Sequence, residues 1–359
     1  MRGSSTGDSE GVVLTEAPGI SQPRVELGTF PTPVEAAPEL GAEIGVPDLY
    51  VKREGQSGEL YGGNKIRKLE YLLGEALDRD CSRVHTFGGI GSNHVLATAT
   101  YAREVGLEPH VTHFPQPVTS HVLENLRALA RFEPELTLTR SEVLLPAHLL
   151  KKRLESRFDE DCYLIPPGGS SPVGTVGYVE AAHELARQLD AGEFPRPDVV
   201  VVPASSGGTL AGLRVGFDSA GLDARLVGVS VVEWYVANGV TLSRLANKTA
   251  KLLDDTAGGR DSDRSSGDGY SRHDIELLTG YLGEGYAEPT PEGERIQDVA
   301  AQHGLQLDPT YTAKTVAAIT SEFDEETVLY WHTLSETRPE PLPTERTLEV
   351  LPDSYRQFF

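Results

Sequence analysis

The stretch "DVVVVPASSGGTLAG" (198–212) places four consecutive valines before a loop of small polar residues and the start of an apolar helix. A strand without polar alternation is typical of a parallel sheet covered on both faces. From about residue 48, similar runs alternate with apolar residues at helical spacing: "DLYVKRE" (48–54), "RVHTFGG" (83–89), "PHVTHF" (109–114), "CYLIPPGG" (162–169), "RLVGVSVV" (225–232) and "TVLYWHT" (327–333). The pattern predicts an α/β protein with mostly parallel sheets.

Length and charge narrow the class of protein. The 359 residues predict about two domains, and 38% hydrophobic residues are enough to bury a core. The net charge of -22 argues against nucleic acid and anionic membranes as partners, because both require a basic surface. Only eight of the 32 basic residues are lysines, and such an acidic, lysine-poor composition is typical of halophilic proteins.

Cysteine content and the chain ends add further expectations. Two cysteines, Cys81 and Cys162, exclude a disulfide framework and a cysteine-based metal site. Without a long apolar run or an apolar signal core near the first residues, we expect a cytoplasmic protein. Residues 254–273 are rich in Asp, Gly and Ser and predict a mobile surface loop.

The loop after the valine run has the composition of a phosphate cradle. Its glycines let backbone N–H groups approach an anion, two hydroxyls add donors, and a helix N-terminus follows; these residues are Ser206, Gly207, Gly208 and Thr209. A plain glycine turn explains the loop equally well. Neither nucleotide motif fits, because the loop lacks the Walker lysine and His94 occupies the third glycine position of the dinucleotide pattern.

Lys65, in "YGGNK" (61–65), opens a helical stretch, where the positive end of the helix dipole disfavours a cation. An exposed first-turn lysine is the simpler interpretation. A phosphate site without a nucleotide motif, together with this lysine, instead suggests pyridoxal 5'-phosphate. That cofactor is held by a Schiff base to a lysine and by its phosphate at a helix N-terminus.

Six segments carry a family resemblance. They are "GGNKIRKLEYL" (62–72), "GGIGSNH" (88–94), "PPGGSSPVGTVGYVEAA" (166–182), "SSGGTLAGL" (205–213), "PTPEG" (289–293) and "LDPTYTAK" (307–314). In this order they resemble the 1-aminocyclopropane-1-carboxylate (ACC) deaminase and D-cysteine desulfhydrase family of fold type II pyridoxal phosphate enzymes. The resemblance runs from about Pro23 to His332.

The resemblance implies the tryptophan synthase β-like architecture, in which two open, twisted, mostly parallel sheets form two domains with the cofactor in the cleft. Residues 69–178 are then an inserted small domain. Residues 1–68 and 179–359 form the large, cofactor-binding domain. A homodimer is expected.

The resemblance also implies roles for individual residues. Lys65 is the Schiff-base lysine, preceded by Asn64, and Lys68 faces the same pocket one helical turn later. Ser92 and Asn93 receive the substrate carboxylate and the cofactor's phenolic oxygen, with His94 beside them. Read alone, Ser92 is an ordinary helix N-cap.

Two tyrosines, Tyr286 and Tyr311, match the family's active-site tyrosines, which are suited to proton transfer. Read alone, both are core residues. Thr312 matches the position that meets the pyridine nitrogen, where ACC deaminases have Glu. A hydroxyl makes the ring a weaker electron sink than a carboxylate does, and this favours loss of sulfide over cyclopropane opening. Thr333 agrees, because desulfhydrases have Thr there and deaminases Leu.

These observations predict a pyridoxal phosphate lyase that converts D-cysteine to pyruvate, sulfide and ammonia. One alternative is an ACC deaminase that forms 2-oxobutanoate. Another is a cofactor-binding family member without turnover, because "HVLAT" (94–98) and "LSE" (334–336) stand where the family's catalytic-loop residues are expected. Gly91 also replaces the usual Gln, and "LSE" replaces the usual Gly-Gly. A zinc peptidase and an NAD enzyme are disfavoured because their motifs are incomplete.

Overall fold

The computed structural model describes residues 14–17, 20–139, 145–155, 159–256 and 269–359. The strands in these ranges are β1 (Leu14–Ala17), β2 (Ile20–Val25), β3 (Val34–Ala36), β4 (Leu49–Arg53), β5 (Arg83–Gly89), β6 (Glu108–Phe114), β7 (Glu135–Leu138), β8 (Cys162–Leu164), β9 (Val199–Ala204), β10 (Arg225–Ser230), β11 (Glu276–Leu278) and β12 (Val328–His332). The helices are α1 (Pro38–Ile44), α2 (Lys65–Asp78), α3 (Asn93–Glu104), α4 (Ser120–Leu129), α5 (Leu145–Glu155), α6 (Pro172–Asp190), α7 (Gly208–Ala220), α8 (Gly239–Thr256), α9 (Pro291–Gln302), α10 (Thr312–Glu322) and α11 (Thr344–Val350).

The large sheet has six strands in the order β11-β10-β9-β12-β4-β3. Its pairs are parallel except at the edge, where β3 runs antiparallel to β4. Every residue of β9 is buried. Val199 and Val201 pack on the face covered by α1, α9 and α10, whereas Val200 and Val202 pack on the face covered by α6 and α7. Helices on both faces therefore account for the run of valines.

The small sheet has four parallel strands in the order β7-β6-β5-β8. All four lie within residues 69–178, the segment predicted as an insertion. The C-terminal segment also packs here: Leu351 and Tyr355 join its core, and the Tyr355 hydroxyl lies 2.8 Å from Nδ1 of His113. The sequence prediction had placed this end of the chain with the large domain.

A buried network of charged side chains fixes α2 against the large sheet. Arg67 donates to both carboxylate oxygens of Glu54 and to both of Glu184, at 2.8–3.1 Å. Burial raises the pKa of Glu184, but Arg67 and Lys52 overcome that effect and hold its pKa at about 2. The first turns of α2 are therefore held rigidly in place.

The predicted fold class is confirmed: the protein is α/β with two mostly parallel sheets. Short elements such as β3, β7 and β11 were not predicted, because three or four residues carry too little periodicity. Of the predicted loop 254–273, residues 254–256 belong to α8 and residues 257–268 lie outside the described residues. In the described part of the chain, no helix is long and apolar enough to cross a membrane.

Candidate active site

A cavity of about 630 Å³ opens where residues that end or follow β5, β6, β9, β10 and β12 meet the start of α2. Carboxyl ends of parallel strands are where α/β proteins bind ligands. Most of the residues predicted from the sequence line this cavity: Asn64, Lys65, Lys68, Ser92, Asn93, His94, Ser206, Gly207, Thr209, Tyr286, Tyr311 and Thr333. Their individual roles stay predictions.

Lys65 is the first residue of α2, and its Nζ donates to Oδ1 of Asn64 at 2.8 Å. Nδ2 of Asn64 in turn donates to Oγ1 of Thr209 at 3.2 Å, so this side chain links the lysine to the start of α7. Burial lowers the pKa of Lys65 to about 8, and the carboxylate of Asp308 only partly opposes that effect. A substantial fraction of Lys65 is therefore the neutral, nucleophilic amine near neutral pH.

The glycine-rich loop ends at Gly207, the N-cap of α7, with a φ of 85° that favours glycine. Gly207 has no side chain to cap the helix, and the N–H groups that follow Gly208 in the first turn of α7 are oriented to meet an anion. Oγ of Ser170 lies 2.8 Å from Oγ of Ser206 and accepts from the Gly208 amide at 3.0 Å. A Cβ at Gly208 would lie 2.6 Å from that Oγ, so only glycine permits the approach.

Lys68 lies beside this loop with only 2% of its surface exposed. Its Nζ donates to the carbonyl of Gly168 at 3.2 Å. Burial, reinforced by the nearby charge of Lys65, lowers the pKa of Lys68 well below the usual range. An anionic ligand would relieve that cost, because it would pair with the ammonium group.

The second helix N-terminus at the cavity is that of α3. Ser92 is its N-cap, and Oγ accepts from the amide of Val95 at 3.3 Å. Asn93 follows as the first helical residue. His94 is buried with Nε2 3.0 Å from Oγ1 of Thr86, and burial keeps its pKa well below the usual range, so the imidazole is neutral. Ser92 therefore combines the cap role with a place in the cavity wall.

Tyr286 and Tyr311 meet in the cavity, where their hydroxyls hydrogen bond to each other. Oδ1 of Asp308 accepts from the amide of Tyr311 at 2.7 Å and so holds its backbone. Burial, with the neighbouring Tyr286, raises the pKa of Tyr311 well above the usual range. Tyr311 is therefore protonated at neutral pH, and its hydrogen bond to Tyr286 gives a path for a proton between the two hydroxyls.

Thr312 and Thr333, the two threonines that favour a desulfhydrase, lie in different places. Thr312 is fully buried, and its hydroxyl donates to Oδ2 of Asp308 at 2.7 Å. Thr312 does not line the cavity, whereas Thr333 does. The backbone carbonyl of Thr333 also accepts from the amide of Asn64 at 3.2 Å, which joins the end of β12 to the turn before Lys65.

Sequence reasoning did not single out Ser170 or Asp308. Ser170 follows β8 in "PPGGSS", a third glycine-containing loop at a strand end, and that position could have flagged it. Asp308 precedes Tyr311 by three residues, as a helix-capping carboxylate does. Ser170 bonds Gly208, which is distant in the sequence, and Asp308 bonds the residues at the start of α10.

The residues present fit pyridoxal 5'-phosphate. Free N–H groups at the start of α7, the hydroxyls of Ser206 and Thr209, and the ammonium of Lys68 match a phosphate dianion. A lysine with a pKa of about 8 in the same cavity matches an aldehyde. The structure thus defines an enzyme-like site for a phosphorylated carbonyl cofactor.

Comparison with known proteins identifies the family. A family model described as pyridoxal-phosphate dependent enzyme matches residues 25–333, so the chain belongs to that family. A Pyrococcus horikoshii protein provisionally named 1-aminocyclopropane-1-carboxylate deaminase is 35% identical over 295 residues, 81% of this chain and 84% of that one. A D-cysteine desulfhydrase of Salmonella newport is 33% identical and covers 87% of this chain and 93% of its own.

Solved structures share the fold of this chain. A crystal structure of an ACC deaminase homologue superposes with a TM-score of 0.72 at 31% identity, covering 92% of this chain and 97% of that chain. Threonine deaminase isoform 2 of Solanum lycopersicum, at 17% identity and a TM-score of 0.55 over 89% of this chain and 86% of its own, shows the shared fold alone. The predicted family, fold type and cofactor are confirmed.

Proposed function

We propose that this protein is a lyase that removes the α-proton of a small amino acid and eliminates its β-substituent, with D-cysteine as substrate and pyruvate, sulfide and ammonia as products. The observation that carries the proposal is that one cavity holds both Lys65 and the glycine-rich N-terminus of α7. Burial lowers the pKa of this lysine to about 8. That combination supplies a neutral amine and a phosphate site together.

Each group of cavity residues would bind a different part of the cofactor or the substrate. Ser206, Gly207, Gly208 and Thr209 would hold the phosphate with Lys68, and Lys65 would hold the aldehyde carbon. When bound, the cofactor supplies an electron sink for the carbanion that α-proton removal leaves. With the substrate bound, the amine of Lys65 would serve as the base for that proton. The α3 N-terminus at Ser92 and Asn93 offers N–H groups to the substrate carboxylate.

The tyrosine pair is suited to donating a proton to the leaving group. Tyr286 and Tyr311 both line the cavity and share a hydrogen bond, so one hydroxyl can donate a proton to departing sulfide while the other stabilises the oxygen left behind. Hydrogen sulfide carries that proton away. The chain then needs no additional acid for β-elimination.

Thr333 supports D-cysteine as the substrate. Thr333 lies in the cavity wall just after β12, where deaminases of the family carry Leu. Thr312 does not bear on the substrate, because its hydroxyl is bonded to Asp308 and the residue does not line the cavity. The carboxylate of Asp308 is itself occupied by the amides of Thr310 and Tyr311 and by Thr312.

An absorbance spectrum of the purified protein in high salt tests the proposal, followed by D-cysteine, L-cysteine and ACC in turn. We expect a visible band from the lysine-bound cofactor that changes on addition of D-cysteine, with sulfide and pyruvate released. Absence of the band with added pyridoxal phosphate would contradict the cofactor site. A band that persists without product from any amino acid would instead indicate a binding protein without turnover.

ACC deamination is the second candidate, because the Pyrococcus relatives carry that name at 33–35% identity. Faster formation of 2-oxobutanoate from ACC than of pyruvate from D-cysteine would establish it. In that case Thr333→Leu is expected to leave or improve the ACC activity, whereas for a desulfhydrase the same variant loses D-cysteine turnover.

We also propose that the protein is a homodimer. Trp234, Tyr235 and Val236 are 77%, 66% and 46% exposed beside the cavity mouth, and an apolar cluster of this kind is typical of an interaction surface. Light scattering coupled to size-exclusion chromatography measures the mass. A mass near the 38.8 kDa of one chain would contradict the proposal.

A further inference from the structure

Asn125, on α4, lies behind the cavity wall with 2% of its surface exposed. Its Nδ2 makes two short hydrogen bonds, to the carbonyl of Gly91 at 2.9 Å and to Oδ1 of Asn93 at 2.8 Å. Nε2 of His121 is a third, longer neighbour at 3.2 Å. The amide group of Asn125 therefore donates both of its hydrogens to Gly91 and Asn93, at the start of α3.

These bonds determine which way the amide of Asn93 faces. The carbonyl of Gly91 can only accept, so the atom of Asn125 that contacts it is the nitrogen. The same nitrogen then requires an acceptor on Asn93, which is Oδ1. Because Asn93 lines the cavity, its remaining amide group is left as a donor on the cavity side.

The close approach of α4 to this loop depends on Gly91. A Cβ there would lie 2.6 Å from Cγ2 and 2.7 Å from Cα of Val122, on the first turns of α4. Any larger residue would push α4 away and break the reach of Asn125. The glycine that departs from the family pattern is thus matched by the helix that packs on it.

We infer that Asn125 is a positioning residue that holds Asn93 with its N–H group toward the cavity, where it donates to the anionic phenolic oxygen of bound pyridoxal phosphate. The inference rests on the proposed function. Were Asn93 turned over, its carbonyl oxygen would face that anion and repel it. The bond to a charged acceptor contributes more than a neutral bond does, so the orientation has a measurable consequence.

The test is Asn125→Asp, which replaces the donor with an acceptor of the same shape. Asn93 must then turn its N–H group toward residue 125 and present oxygen to the cavity. We expect the dissociation constant for pyridoxal phosphate to rise at least about tenfold and the visible band of the bound cofactor to shift. Asn125→Ala, which introduces no charge, is expected to weaken binding less and in the same direction.

Asn247→Asp is the matched control, because Asn247 is also a hydrogen-bonded asparagine on a helix. It bonds the amide and carbonyl of Tyr270, and neither residue lines the cavity. The control variant should leave cofactor binding unchanged. The decisive comparison is between the Asn93→Ala variant and the double variant that also carries Asn125→Asp. If Asn125 acts through Asn93, the two variants have the same affinity for pyridoxal phosphate and the same visible spectrum.

The outcomes separate the two proposals. If Asn125→Asp and Asn125→Ala bind pyridoxal phosphate as tightly as the wild type does, the role of Asn125 is overturned and the proposed function is not affected. Equal effects of Asn125→Asp with and without Asn93 also overturn the role of Asn125, because they indicate a purely structural role. A wild-type protein that binds no pyridoxal phosphate overturns the proposed function and this inference with it.

Discussion

Arg67 and Lys68 are neighbours on α2, and each is only 2% exposed, yet their surroundings differ completely. Arg67 bonds the carboxylates of Glu54 and Glu184 and faces the protein interior. Lys68 faces the cavity, and within the described residues its ammonium forms no ion pair. It bonds the carbonyl of Gly168 and lies 5.9 Å from the centre of the Tyr178 ring. A buried cation that is paired holds the fold together, whereas one left without a carboxylate in a cavity wall is suited to a ligand anion.

The largest expected effect comes from Lys65→Ala. Turnover should fall by at least about a thousandfold, because the variant loses both the attachment point and the proposed base. The free energy of unfolding should stay close to that of the wild type, since among the described residues the Lys65 ammonium bonds Asn64 alone. Steady-state kinetics, the visible spectrum and denaturant unfolding measure these quantities. A visible cofactor band retained at wild-type intensity would show that another lysine is the attachment point.

Arg67→Ala should have the next largest effect, and on stability. Removing the cation leaves two carboxylates buried without their partner, so unfolding should become easier by about 3–5 kcal/mol. Arg196→Ala is the control, because the pair of Arg196 with Asp190 is exposed and contributes about 0–1 kcal/mol. Urea unfolding of the cofactor-free protein compares them. Equal losses in both variants would mean that the buried network does not stabilise α2.

Lys68→Met should change stability in the opposite direction from Arg67→Ala. The cofactor-free protein should be as stable as the wild type or more so, since a buried ammonium without a carboxylate partner is replaced by an apolar side chain of similar length. Affinity for pyridoxal phosphate should fall about tenfold or more with the lost phosphate contact. A clear loss of stability with unchanged affinity would make Lys68 a structural cation like Arg67.

The smallest expected effect is a pH shift. Burial lowers the pKa of Lys65 to about 8, so the rate of cofactor attachment to the cofactor-free protein should rise with pH and level off above that value. Asp308 raises this pKa, and Asp308→Asn should therefore move the midpoint to lower pH. Stopped-flow absorbance measures the rate. A midpoint near the usual lysine value of 10.5 would contradict the burial argument.

Much of the fold could be predicted from the sequence, because β9 and its neighbours carry their burial in consecutive apolar residues. Lys65 and the loop at Ser206 could be found for a similar reason, since an unfavourable cation and a glycine turn are local features. The placement of Thr312 could not be predicted. Its hydroxyl faces either the cavity or Asp308 depending on how the first turn of α10 is wound.

By itself, the sequence determined the order of strands and helices, the family motifs and the lysine at the start of α2. These depend on residues within a few positions of one another, so periodicity and turn chemistry reveal them. Tertiary packing was needed to show that Arg67 pairs with Glu184, that Lys68 pairs with no described carboxylate, that Ser170 meets Gly208, and that Asn125 reaches Asn93. The contacts of Arg67 with Glu184, Ser170 with Gly208 and Asn125 with Asn93 join residues 117, 38 and 32 positions apart. Close packing between elements brings them within hydrogen-bonding distance.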